Sequence, residues 1–280
     1  MDDDLKSIAS KYYIGGHISV SGGLHLAPER ASIFGFRTFQ FFSKNQMRWN
    51  STPISEEEAL RFISEVSSHS ISSTMVHASY LINLASSSNE LHQKSFNAFV
   101  EEIQRAERID ATFLTFHPGS NGNKDEGIRK IKEAIEKVET HKVKLLVENT
   151  AGQGNVIGST IYEIGQIIDG FDSSVGVCID TCHAWAAGYD ITNKYDEFID
   201  ELDSAIGLDR IYAFHLNDAM KDLGSNIDRH ELIGRGKIGE GLIKLISDVR
   251  LFGKPKIMET PYGEAKFEEN LKYIRKKLGE

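Results

Sequence analysis

Cysteine and proline are scarce in this sequence: two cysteines, at 178 and 182, and five prolines in 280 residues. Cys178 and Cys182 fall in one strand-to-loop segment. No disulfide is expected, and a reducing, cytoplasmic location fits. No Pro/Gly/Ser-rich linker divides the chain, so residues 1–280 are expected to form one domain, with 1–11 as a short N-terminal extension. No run approaches the roughly 20 apolar residues of a membrane span. The acidic start, Met1-Asp2-Asp3-Asp4-Leu5-Lys6, has neither the basic region nor the apolar stretch of a signal peptide. Positive charge is also in deficit, 32 Lys+Arg against 41 Asp+Glu for a formal −9. That excludes a generically basic nucleic-acid binder and leaves any anion binding to a local feature.

What is present is a strong alternation of two kinds of segment. With 40% apolar residues the chain can bury a sizeable core. Eight runs rich in β-branched and aromatic residues read as strands: 12–20, 37–43, 73–79, 112–119, 144–151, 175–183, 211–218 and 256–262. Their continuous apolar character, as in Lys144-Leu145-Leu146-Val147, suits parallel strands buried on both faces. Helical segments lie between them. Ser55-Glu56-Glu57-Glu58 opens one with a capping box, followed by Leu60, Ile63 and Val66 at helical spacing. Residues 88–109, 123–140, 160–168, 196–206, 240–249 and 265–278 fill other slots. A helix over 22–34 is the weakest assignment, because Pro28 must fall near its start or kink it. Strand and helix alternate throughout, which predicts an α/β fold, a single (β/α)8 TIM barrel with its site at the C-terminal rim of the strands. Two connections are long, 44–53 after the second strand and 219–239 after the seventh.

Chemistry-bearing residues keep the same beat. His77, His117, Glu148, Asp180, His215 and Glu259 each close an apolar run, with gaps of 40, 31, 32, 35 and 44 residues. A strand and its helix take about 30 residues or more, so one potential ligand arrives per β/α unit. Closing the barrel brings those strand ends onto one rim. Asp180-Thr181-Cys182-His183 adds a further imidazole at a strand end, pointing away from Asp180 and so toward a neighbouring metal. Asp228-Arg229-His230 has period-two spacing that turns both side chains toward one ion. Nine nitrogen and oxygen donors exceed the three or four of a mononuclear catalytic site. With Glu148 bridging, they can hold three ions, zinc or manganese. Three divalent cations would bring −9 + 6 = −3 and concentrate positive charge in the cleft. His25, His69, His92 and His141 lie on helices or at their ends and read as solvated; His17 is a candidate for supporting the ligands. Cys178 and Cys182 read as packing residues.

Several metals a few ångström apart suit phosphodiester hydrolysis, because they can activate water, hold the phosphate and neutralise the leaving oxygen. No Ser-His-Asp arrangement or P-loop competes with that reading; Gly152-Gln153-Gly154 and Gly234-Arg235-Gly236 read as tight turns.

The motifs His77-Ala78-Ser79-Tyr80-Leu81-Ile82-Asn83-Leu84, Phe116-His117-Pro118-Gly119-Ser120, Glu148-Asn149-Thr150-Ala151-Gly152-Gln153-Gly154, Cys178-Ile179-Asp180-Thr181-Cys182-His183, His215-Leu216-Asn217-Asp218 and Asp228-Arg229-His230 resemble those of the endonuclease IV family of apurinic/apyrimidinic endonucleases. The likeness runs from about Tyr13 to Tyr262. It implies a trinuclear zinc enzyme that cuts duplex DNA 5′ to abasic sites and trims blocked 3′ ends. By motif, His77, His117 and Glu148 would hold one zinc, and Glu148, Asp180, His215 and Glu259 a second. His183, Asp228 and His230 would hold the third. A hydroxide between the first two would attack phosphorus, making Glu148 and Glu259 the catalytic carboxylates.

DNA recognition is expected from the loops. Lys44, Asn45, Gln46, Met47, Arg48 and Trp49 offer cations, amides and an aromatic for phosphate contact and minor-groove wedging. Tyr80 and Leu81 would fill the space of a missing base beside a flipped sugar. Lys221, Arg229 and Lys237 are further candidates for backbone phosphates. The chain departs from the family pattern at Met47, where arginine is usual, and at Ala78 and Arg235, where acids are common. The wedging residue is therefore either Met47 or Arg48. Two rival readings remain: a metal-dependent sugar isomerase or epimerase, whose four-ligand set Glu148, Asp180, His215 and Glu259 resembles, and a non-catalytic damaged-DNA binding protein. A monomer suits a rim that must embrace a duplex.

Overall fold

A computed structural model describes residues 1–280. The strands are β1 (Ile14–His17), β2 (Thr38–Phe41), β3 (Ser73–His77), β4 (Phe113–Phe116), β5 (Lys144–Glu148), β6 (Val175–Asp180), β7 (Ile211–His215), β8 (Asp218–Ala219), β9 (His230–Glu231) and β10 (Lys256–Met258). Eight of them pair in parallel as a closed barrel, in the order β1-β10-β7-β6-β5-β4-β3-β2. The short antiparallel pair β8–β9 stands apart, inside the long connection after β7. The helices are α1 (Asp3–Lys11), α2 (Ala27–Ile33), α3 (Glu56–Ser68), α4 (Asn89–Arg108), α5 (Lys124–Glu136), α6 (Ile161–Ile168), α7 (Thr181–Ala187), α8 (Tyr195–Ala205), α9 (Glu240–Ser247) and α10 (Glu264–Leu278). This is the expected (β/α)8 TIM barrel.

Two apolar layers build it. A 68-residue cluster fills the space between strands and helices. A separate set, Met75, Phe113, Leu146, Cys178, Ala213 and Ile257, takes one residue from each of six strands and forms the plug of the barrel. Two residues further along a strand the side chain returns to the same face. Met75, Leu146, Cys178, Ala213 and Ile257 are thus followed by His77, Glu148, Asp180, His215 and Glu259, and Phe113 is followed four residues on by His117. The apolar plug and the polar layer above it belong to one alternation. At β1 the wall is thin by necessity: a Cβ on Gly16 would stand 2.3 Å from the Phe267 ring of α10, and no backbone shift short of moving that helix relieves such overlap.

Several elements differ from expectation. Residues 1–11, expected as a short N-terminal extension, contain α1, which buries Leu5, Ile8 and Ala9 in the main core. The segment 22–34 splits into a 3-10 turn, Leu24–Leu26, and α2, with Pro28 in the first turn, where its missing N–H costs nothing. Ser55 caps α3 by accepting the Glu58 N–H at 3.1 Å, as its capping box predicts. Leu60, however, is 61% exposed, because α3 turns Ala59 and Phe62 to the core instead. The strand expected over 175–183 ends at Asp180, whose carboxylate caps α7, a helix absent from the sequence reading. No helix is long and apolar enough to cross a membrane.

Candidate metal centre

All nine donors converge at the C-terminal end of the barrel. Three groups, His77–His117–Glu148, Glu148–Asp180–His215–Glu259 and His183–Asp228–His230, each bring their ligand atoms within 4.8 Å of one another. Glu148 belongs to two of them. The spacings are informative. Glu148 Oε2 stands 3.3 Å from both His77 Nε2 and His117 Nε2. Asp228 lies 3.4 Å from His183 Nε2 and 3.2 Å from His230 Nε2, and Glu259 Oε2 lies 3.2 Å from His215 Nδ1. Two ligands each about 2.0–2.1 Å from a tetrahedral zinc are about 3.4 Å apart. Most of these pairs are too long for good hydrogen bonds and match that edge length. Glu148 Oε2 and His230 Nε2 are buried without a hydrogen-bond partner, a costly state that a cation relieves.

The rings are held from behind. A backbone carbonyl can only accept, so His77 Nδ1 donates to Ala78 O (2.7 Å), His183 Nδ1 to Asn149 O (2.8 Å) and His230 Nδ1 to Glu259 O (3.1 Å). Each bond leaves Nε2 with its lone pair toward the pocket, the arrangement that metal-binding imidazoles need. His215 is reversed: its Nε2 meets Gln40 Oε1 at 2.7 Å and its Nδ1 faces Glu148 and Glu259.

Charge follows the same logic. Burial pushes His183 and His230 down, but the surrounding carboxylates of Asp180 and Asp228 outweigh it and raise them to about 10 and about 9. Against burial, His77 also ends up raised by Glu148 and Glu259, and His215 by Cys178, Glu148 and Glu259. Burial would lift Glu148, Asp228 and Glu259, yet the imidazoles hold all three below the usual carboxylate range. The pocket is built to stabilise positive charge. Four carboxylates and three divalent ions would sum to −4 + 6 = +2, a cationic mouth on an acidic chain.

His183 departs from the expected geometry. It projects from the first turn of α7, and its own N–H donates to Asp180 Oδ1 at 2.8 Å. The separation of the two ligands thus comes from a helix start, not from strand alternation. Cys182 also comes within 4.8 Å of Asp180 and His230 donors. Burial, then Asp180, pushes its thiol far up, which keeps it a protonated packing group.

Several residues of the centre were missed. Gln40 is fully buried and donates from Nε2 to Glu259 Oε1 at 2.5 Å while accepting from His215. Asn149 bonds the Asp180 backbone on both sides. Asn217 donates to Asp180 Oδ2 at 2.6 Å and accepts from the Glu259 N–H at 2.8 Å. A polar residue two places past an inward-facing one, as Gln40 is past Thr38, was the signal for the first; adjacency to Glu148 and His215 was the signal for the others. His17, weighed as a support, sits 3.1 Å from Gln40 Nε2 and 3.7 Å from Glu259.

Around the mouth the loops divide. Tyr80 is 53% exposed and its ring lies 5.2 Å from that of His77 and 5.7 Å from that of His117, with half-buried Leu81 beside it. Asn45, Met47 and Arg48 are exposed and Gln46 is half-buried. Lys44 and Trp49 do not stand free. The Lys44 ammonium is buried against Glu101 (3.3 Å) and Glu102 (3.7 Å) of α4, and Trp49 is half-buried with Lys94 Nζ 4.4 Å from its ring. The physical reason is α4, whose Glu102 and Arg105 also hold Ser43 and so anchor the base of the loop. Lys237 pairs with Asp222, and Arg235 with Glu269. A surface groove of about 1190 Å³ lies outside the barrel, lined by the segment before α3, the C-terminal half of α4 and the segment after α5, and contains none of the nine donors.

Residues 28–277 match the family model of xylose isomerase-like TIM barrels. The chain is 59% identical, over all 280 residues and the whole of both chains, to a probable endonuclease 4 of Thermoplasma acidophilum. The solved endonuclease IV of Thermus thermophilus superposes with a TM-score of 0.88 at 35% identity, over 95% of this chain and 99% of that one. A D-tagatose 3-epimerase-like protein matches at a TM-score of 0.67 and 20% identity, over 95% and 99% of the two chains, a likeness of fold alone. With its nine-donor rim and its full-length kinship, the chain belongs to the endonuclease IV family within the xylose isomerase-like TIM barrels.

Proposed function

We propose that this protein is a DNA-repair endonuclease that hydrolyses the phosphodiester bond 5′ to abasic sites in duplex DNA and removes 3′-blocking groups, using three zinc ions. One observation carries the reading: nine donors, free of thiolate, gather in three groups, two of which share Glu148, and pairs within them keep tetrahedral edge spacing. His77, His117 and Glu148 would hold one ion, Glu148, Asp180, His215 and Glu259 the second, and His183, Asp228 and His230 the third. When bound, such ions supply an activated water and neutralise charge on the phosphate and the leaving oxygen. Manganese can replace zinc at donors of this kind.

The chain's own groups do the rest. Glu148 and Glu259 place two carboxylates across the pocket floor, and the backbone-bonded imidazoles present their lone pairs without reorganisation. Tyr80 and Leu81 border the pocket where a base-free sugar would enter. Met47 and Arg48, at the tip of the loop after β2, are the groups free to wedge into the duplex and meet phosphate. We assign the protein to the cytoplasm as a monomer.

A sugar isomerase would use Glu148, Asp180, His215 and Glu259 and leave His77, His117, His183, Asp228 and His230 idle. Elemental analysis paired with incision of a duplex carrying one abasic analogue, with and without chelator, tests the assignment. Three zinc ions and chelator-sensitive cleavage support it; a single exchangeable manganese or magnesium without cleavage sinks it. Binding without cleavage by the loaded protein would establish the non-catalytic alternative.

A further inference from the structure

Asp218 is fully buried three residues beyond His215, yet it touches none of the ligand atoms. Its carboxylate accepts five backbone N–H groups. Oδ1 takes those of Ala219 (2.9 Å), Ile238 (2.9 Å) and Gly239 (3.4 Å), and Oδ2 those of Gly234 (2.9 Å) and Gly236 (3.1 Å). These donors come from the two ends of the connection between β7 and α9. The excursion between them carries Asp228 and His230. The same residue opens the small ladder in which Asp218 pairs with Glu231 and Ala219 with His230.

We propose that Asp218 is a positioning residue for the third metal site, its buried carboxylate closing the 219–239 loop so that Asp228 and His230 face His183. The inference rests on the three-ion reading above. An ionised carboxylate is the one side chain of this size that offers acceptor sites on both oxygens. An asparagine has nearly the same shape, but its amide would turn donors toward at least two of the five N–H groups, leaving them unpaired. The barrel does not need this loop for closure, because β7 pairs directly with β10. Loosening it should therefore spare the strand-borne ligands. Gly236 offers an independent way to open the same clasp, since a Cβ there would stand 2.5 Å from both Ala219 O and Asp218 Oδ1.

The test is zinc binding by the full chain, stripped and reloaded in chelator-buffered zinc, for wild type, D218N and G236A. Supporting partners of metal ligands are worth about 10–100-fold in affinity, so one ion of three should weaken at least tenfold in both variants while two stay within twofold. Incision should return as free zinc is raised, and native-state hydrogen exchange should quicken across 220–237 but not in the strands. Equal weakening of all three ions, an unchanged third ion, or a D218N chain that no longer folds cooperatively would each overturn the proposal. Wild-type protein that saturates below three ions would instead remove the three-ion reading, and this inference with it.

Discussion

Two groups of ligands share one pocket but are built differently. Glu148, Asp180 and His215 are fully buried at strand ends, above the plug of the barrel, and β6 and β7 set Asp180 beside His215 by register. His183, Asp228 and His230 come from a helix start, an irregular loop and a two-residue strand, and the Asp228 side chain is 44% exposed. The first group inherits its geometry from hydrogen-bonded sheet. The second depends on local devices: the Asp180 cap and the backbone clasp around Asp218. A centre can thus be rigid where the sheet supplies the rigidity and adjustable where loops do.

The sharpest way to break this comparison is Glu148→Gln. It removes the carboxylate common to the His77–His117 and the Asp180–His215–Glu259 sites, so the protein should lose two ions and retain the one at His183, Asp228 and His230. Losing several kcal/mol of metal-supplied stabilisation corresponds to a fall in kcat on the order of 10³-fold or more. Elemental analysis and single-turnover incision read both effects, and loss of all three ions together would erase the distinction between the groups. Next comes Gln40→Leu, which keeps the fold but frees the His215 ring and Glu259. We expect zinc affinity at the strand-borne group to drop about 10–100-fold, with the His183 group unmoved.

A smaller effect separates exposed from buried cations on the DNA-facing loop. Arg48→Ala should weaken duplex binding and reduce the slope of log affinity against log salt by about 1. Lys44→Met should leave that slope unchanged and instead lower the unfolding temperature, because it strands Glu102, which burial already pushes above the usual carboxylate range. Equal salt slopes for the two variants would show that both residues reach phosphate.

The gentlest test uses pH on metal-free protein. His183 and His230 lie at about 10 and about 9 against an ordinary 6.5. Raised values mean that their contribution is complete below about pH 6.5 and is lost as pH climbs through 9 to 10. Glu148 and Glu259 are depressed, so theirs is present above about pH 4.5 and is lost on acidification through their folded values. Chelated protein should therefore show a stability plateau near pH 5–6 and a falling midpoint toward pH 10. Zinc, which requires neutral imidazoles, should remove the alkaline decline. An unchanged midpoint across pH 6–10 without metal would contradict the charge balance of the loop-borne group.

Much of this centre was legible because its ligands obey a strand's arithmetic. His77, Glu148, Asp180, His215 and Glu259 end apolar runs, and a parallel barrel leaves those ends one rim to occupy. Asp228 and His230 were legible for the same period-two reason. His183 was legible as a candidate but its support was not, since the switch from β6 to α7 at Asp180 turns on a side-chain cap that no apolar periodicity records. Lys44 was misjudged because a lysine in a polar loop is ordinarily solvated; the acids that bury it, Glu101 and Glu102, arrive from a helix more than fifty residues downstream. Gln40 was overlooked because a single amide inside an apolar strand has no spacing partner.

The linear order of residues by itself determined the barrel, the rim and the identity of the donors, because alternation within strands and repetition of β/α units are local properties carried by each segment alone. Only the tertiary structure decided which ring nitrogen faces the pocket, which loop cations are free, and how the 219–239 excursion is closed. Those outcomes depend on hydrogen bonds and ion pairs between groups far apart in the chain, whose strength exists only once folding has removed them from water.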